Sequence, residues 1–214
     1  MFREKVLPII NTSGRTFRSG DLKALNIDGI SDDIWTFILK LHWVAMNAWV
    51  TKETGETYTD TLVDNLLRIV GLNTFPLAIR KHQECRMFLG GLPYLKADPE
   101  FSIKMIDTAM IAVDISYREY QLVAEILACA SNYLHQINKT TDQTIEQTMY
   151  TIRVISPYVT FYKTVIPALY FKELSEGLPQ EQSVEILRWP GENIPIDGLN
   201  LGEPEGRREV LEIL

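Results

Sequence analysis

The run from Thr108 to Ile115, TAMIAVDI, constrains the fold more than any other stretch of the chain. Met110, Ile111, Ala112 and Val113 are apolar on both alternating faces, so a strand built from them belongs inside a sheet covered on both sides. Asp114 follows in the same run. A carboxylate there is costly unless it is paired, protonated or bound to a cation. The stretch therefore asks for a sheet, two covering layers and something for Asp114 to face.

Its neighbours supply candidates. Phe101 to Met105 reads as a second strand, joined tightly to the first around Ile106 and Asp107. Asp98, in KADPE, precedes it at a turn that Asp before Pro favours. The hairpin register decides whether the two acids meet. A loop centred on Ile106 sets Asp98 opposite Asp114, whereas a strict two-residue turn at 106–107 puts them on opposite faces. A shared site therefore predicts an odd-length loop or a bulge. Two carboxylates held together invite a divalent cation of the magnesium or manganese type, which takes oxygen ligands. Such an ion can activate water and stabilise charge on a phosphate. Residues 117–136 read as a helix whose buried face carries Leu122, Val123, Ile126, Leu127, Ala130 and Leu134. Gln121 and Glu125, four apart, share a face of it.

The flanks have helical and extended periods. Ser31 suits an N-cap, Asp32 and Asp33 suit the positive helix end, and Ile34, Phe37, Ile38, Leu41 and Val44 form a stripe. Trp35, Trp43 and Trp49 broaden that stripe, which predicts a helix sandwiched between layers. His42 reads as a packed histidine. Thr57 and Asp60 resemble a capping box ahead of a second helix that Gly71 stops, with Glu56, Asp60 and Asp64 on or near its polar face. CRMFLGG reads as a short strand followed by a turn at Pro93. MYTIRVIS and YVTFYKTVIP read as a hairpin. ALYFKELSEGLP reads as a short helix or turn, SVEILRWP as a last strand, and the tail ends in a short amphipathic segment. Residues 1–30 mix Gly, Ser, Arg and Asp and are expected to be a flexible lead-in to one domain spanning 31–214. The expected fold is mixed α/β, with a central mixed sheet of about four to five strands flanked by helices and an N-terminal helical extension.

Charge and composition narrow the function. A net charge of -7 excludes a generally basic, nucleic-acid-coating surface, so nucleic acid would have to meet a local basic patch or a metal ion. Three His and two Cys, Cys85 and Cys129, are too scattered for a zinc site or a disulfide framework. A reduced intracellular compartment, cytoplasmic or nuclear, is the expectation, with no secretory signal and no apolar run of the roughly 18 residues that cross a bilayer. GxSxG, Walker A and GxGxxG motifs are absent. Cys129 reads as core, and strand alternation buries about half of Tyr158, Phe161 and Tyr162.

The succession of acidic helix, Asp98, Asp114 hairpin and Gln121/Glu125 helix resembles the PD-(D/E)XK nuclease core, over roughly residues 50–190. The resemblance implies a restriction-endonuclease-like fold in which Asp98 and Asp114 ligate Mg2+ or Mn2+. Gln121 and Glu125 would support them, and Glu56 or Asp60 would be the acid of the leading helix. It implies DNA or RNA as the partner and phosphodiester hydrolysis as the reaction. The family's lysine position is Ser116 here. Lys104 and Lys96 are the first replacement candidates, since the nearby Arg118 stays charged and shuttles protons poorly. Two expectations follow: a metal-dependent phosphodiesterase with weak or lost activity, or a non-catalytic module that keeps the fold and binds nucleic acid or another protein.

Overall fold

A computed structural model describes residues 30–51, 56–105, 108–114, 119–141, 145–191 and 198–214. The expected lead-in, the loop at 106–107, Ser116 and Arg118 lie outside the described residues. Helices α1 (Asp32–Thr51) and α2 (Glu56–Ile69) come first, followed by strands β1 (Leu77–Lys81), β2 (Cys85–Leu89), β3 (Leu92–Ala97), β4 (Phe101–Met105) and β5 (Thr108–Asp114). Helix α3 (Glu119–Thr141) leads into β6 (Gln147–Ile155) and β7 (Tyr158–Ile166). Helix α4 (Ala168–Glu176), β8 (Ile186–Trp189), β9 (Leu199–Asn200) and α5 (Pro204–Ile213) complete the order.

The fold is mixed α/β. Seven strands form one sheet in the order β1-β4-β5-β6-β7-β8, with β9 also paired to β7. β1, β4 and β5 form an antiparallel meander, β5 and β6 run parallel, and β6 and β7 form a long antiparallel hairpin. A parallel pair needs a crossover, and α3 supplies it. The doubly apolar β5 is internal, as its composition requires. The sheet is wider than the four to five strands expected, because β1 is short and largely exposed and β9 has two residues, too few to carry a readable period.

Pro93 corrects a second expectation. It lies inside β3, and the turn before it is Gly90-Gly91, with φ of 57° and 75° that glycine adopts without strain. β2 and β3 form a two-stranded hairpin of their own, and Pro93 stands opposite Phe88 next to a register shift, where a missing N–H is tolerated.

Alternation along the strands builds two cores. One face of the sheet presents Phe101, Ile103, Val113, Ile152 and Val159 to α1, α2 and α5, where Leu62, Leu67 and Val210 close over them. The other presents Met149, Tyr162 and Ile166 to α3, α4 and the β2–β3 hairpin, with Leu122, Ile126, Cys129 and Phe171 opposite. Helix α2 ends as expected: Gly71 has φ 85° and the Leu72 N–H reaches Leu67 O at 2.9 Å. Among the described residues helix α1 is covered on one side, not sandwiched as expected. It buries Phe37 and Val44 against the α2 layer and leaves Trp43 and Met46 exposed on its outer side. Among the described residues no helix is long and apolar enough to cross a membrane.

Candidate functional site

The β4–β5 hairpin sets the geometry. Its ladder runs Phe101↔Val113, Ser102↔Ala112, Ile103↔Ile111 and Lys104↔Met110, then shifts between Lys104 and Met105. The bulge gives Asp98 and Asp114 the same parity, as a shared site demands. It also moves the pairing by one step. Carried one residue past Phe101, the register sets Glu100, rather than Asp98, opposite Asp114. Asp98 is the exposed residue following β3, and Glu100 sits between buried Pro99 and the start of β4. The His82 N–H donates to the Glu100 carbonyl at 3.1 Å, tying the end of β1 to the start of β4.

On its other side β5 pairs in parallel with β6, and Asp114 stands in register with Arg153. Arg153 is buried and faces buried Thr160 across the β6–β7 hairpin. Arg153 thus brings a fixed positive charge to the register neighbour of the strand's acid. The sequence hid this, because the pairing depends on where β6 docks 39 residues later (153 minus 114).

Helix α3 lies over this face. Gln121 Nε2 donates to Glu125 Oε1 at 3.2 Å, so the expected shared face is real, with Gln121 exposed and Glu125 buried. Lys104 shares the face by register but stands opposite Met110, four residues before Asp114, which is about 13 Å along the strand at roughly 3.3 Å per residue. Burial, and then the like charge of Arg80, hold its ammonium below the ordinary lysine value. Lys96 is exposed on β3 and pairs with Glu84 at 2.8 Å.

Helix α2 contributes from the opposite layer. Asp64 binds Arg68 at 3.1 Å and Lys81 at 3.3 Å, and Lys81 ends β1 opposite Phe101. The acidic face of α2 therefore lies at the sheet end where β4 begins and β5 finishes. One turn earlier, Asp60 Oδ1 is buried with no hydrogen-bond partner. That oxygen lies on the α2 side of the sheet, whereas Glu100 and Asp114 follow the parity of Lys104 on the α3 side. Among the described residues no three His, Cys, Asp or Glu side chains complete a metal site by themselves.

The structure also joins two residues that the sequence keeps apart. Cys85 on β2 and Cys129 on α3 are both buried, and the Cys129 Sγ–H donates to Cys85 Sγ at 3.0 Å. That hydrogen bond, helped by Lys104 and opposed by burial, holds the Cys85 thiol below its ordinary value. The same bond together with burial pushes Cys129 up. No local pattern signals a contact 44 residues apart. A scan against protein-family models finds no match for this chain, and a search of the curated proteins finds none either.

Proposed function

We propose that the chain is a divergent PD-(D/E)XK-like domain that binds magnesium or manganese and slowly hydrolyses phosphodiester bonds of DNA or RNA. One observation carries the reading: the succession α2, antiparallel β1-β4-β5, α3, parallel β6, with acidic residues gathered where β4 begins and β5 ends. This order is the one the resemblance implies for a nuclease core, with the β2–β3 hairpin inserted between its first two strands. Asp98 and Asp114 would hold the ion, with Glu100 as a further oxygen donor. A bound ion of this kind supplies an activated water and charge stabilisation on phosphate. Glu125, fixed by Gln121, braces the same face from above. Arg153 supplies positive charge beside Asp114 but, staying protonated, serves phosphate rather than proton transfer.

The position of Lys104 favours a second reading, a non-catalytic nucleic-acid or protein-binding module. No lysine among the described residues replaces Ser116 beside Asp114, since Lys104 stands well down the strand. Cleavage of DNA and RNA with magnesium, manganese or EDTA, wild type against Asp114→Asn, separates the two. Metal-dependent cleavage lost in the variant supports the hydrolase. Equal traces with and without metal leave only the binding module.

A further inference from the structure

The β2–β3 hairpin is hydrogen-bonded into its own two-stranded sheet and not into the main one. It is held from outside: the Phe88 N–H donates to Ser131 Oγ on α3 at 3.0 Å, and the Gly90 N–H donates to the Leu174 carbonyl on α4 at 3.1 Å. Its outer side is exposed at Leu92 and Tyr94. Its inner side carries Cys85, Met87 and Ala97 into the core against α3, so the thiols are reached when this element, which shares no ladder with the main sheet, lifts locally. Under it lies the Cys85–Cys129 pair, thiol against thiol at 3.0 Å. A disulfide bond is about 2.05 Å long, so roughly 1 Å of approach separates contact from linkage.

We propose that Cys85 and Cys129 form a reversible disulfide when a peroxide reaches them, pinning the β2–β3 hairpin to α3. The Cys85 thiolate attacks one peroxide oxygen, the O–O bond breaks, and hydroxide leaves and is protonated to water. Cys129 then loses its proton and attacks Cys85 Sγ. The S–O bond breaks, and hydroxide leaves with that proton as a second water. Two thiols thus give up two electrons and two protons, and hydrogen peroxide becomes two waters. The roles follow from the hydrogen bond, in which the Cys129 thiol donates and the Cys85 sulfur accepts, so the donated proton favours the Cys85 thiolate. The chain has two cysteines, so an internal disulfide has one possible pairing.

The link would join the elements on either side of the carboxylate cluster. Cys85 pairs with Ala97, the residue before Asp98, and Cys129 lies one turn beyond Glu125. The inference rests on the cysteine geometry and stands whether or not the domain cleaves nucleic acid.

Brief hydrogen peroxide treatment, alkylation without reductant and peptide mapping by mass spectrometry test it. The expected result is a single linked pair of Cys85 and Cys129 peptides, with an unfolding midpoint raised by about 5–15 °C and both effects reversed by dithiothreitol. Cys85→Ser and Cys129→Ser abolish both effects. The wild-type map decides the point even if a serine variant fails to fold. Thiols that remain alkylatable, sulfinic acids without a link, or a bond between two chains overturn the proposal, and a link that leaves the midpoint unchanged overturns the pinning.

Discussion

Phe101 stands opposite Val113 across the β4–β5 hairpin, and this pair fixes where the acids fall. One step outward the register reaches Glu100 and Asp114, and Asp98 lies two residues further out along the chain. The shift between Lys104 and Met105 creates this alignment, because without it every residue beyond would change face.

The alignment ranks the acids. Glu100→Gln is expected to weaken magnesium binding more than Asp98→Asn, since the register carried past Phe101 sets Glu100 opposite Asp114 and Asp98 lies two residues further out. The loss for Glu100→Gln should reach about tenfold or more, the size seen when even an outer partner of a metal ligand is removed. Isothermal titration with magnesium and with manganese measures it. Equal affinities for wild type and both variants would remove the metal from this end of the sheet.

Packing beside the site gives a stability test. Ile103 on β4 is 1% exposed, at the centre of the core that α2 covers. Ile103→Val should cost about 0.5–1.5 kcal/mol and Ile103→Ala about 2–5 kcal/mol, the second including the cavity left behind. Urea unfolding with an unchanged slope checks both. A cost below 1 kcal/mol for the alanine variant would mean that β4 is not packed under α2.

Much of this architecture was legible in the residues. β5 announced itself by being apolar on both faces, and β6 and β7 by their β-branched and aromatic runs. Helices α2 and α3 declared themselves through a 3.6-residue period with Gly71 as a stop. What stayed hidden depends on tertiary pairing. β1 is LAIRK, half exposed and five residues long. β3 contains a proline that reads as a turn until β2 pairs with it. The candidate site was legible as residue types, and the Gln121–Glu125 contact as spacing. Arg153 beside Asp114 and Cys85 against Cys129 could not be read, because each joins elements brought together only by the crossover or by the hairpin's docking.

Asp64 predicts a pH dependence. Burial raises its pKa, but the hydrogen bond from Arg68 and the charge of Lys81 outweigh burial and hold it below the ordinary value. A carboxyl depressed in the folded state binds fewer protons there than in the unfolded chain, so its stabilisation is present in full above the unfolded value of about 4. It is lost as pH falls through that value toward the folded one. Wild type should exceed Asp64→Asn by on the order of 0.5–1 kcal/mol at neutral pH, a size limited by the partial exposure of both cations. The two curves should converge below about pH 3. Parallel curves across the acid range would show that Asp64 is not linked to folding.

Glycine at position 206 sets two effects against each other. Gly206 lies in the first turn of α5, where alanine would normally gain up to about 1 kcal/mol of helix propensity. It is buried, and a Cβ there would collide with the backbone carbonyl oxygen of Asn200 and come within 2.9 Å of its nitrogen. Those atoms belong to β9, which is paired to β7, so they cannot move aside as a flexible side chain would. Overpacking against fixed backbone costs about 1–3 kcal/mol, which outweighs the propensity gain. Gly206→Ala should therefore destabilise, whereas Gly191→Ala, with open space around its Cβ, should stay within about 0.5 kcal/mol of wild type. Thermal unfolding of both variants decides the balance, and a Gly206→Ala midpoint at or above wild type would show that α5 does not rest on the Asn200 backbone.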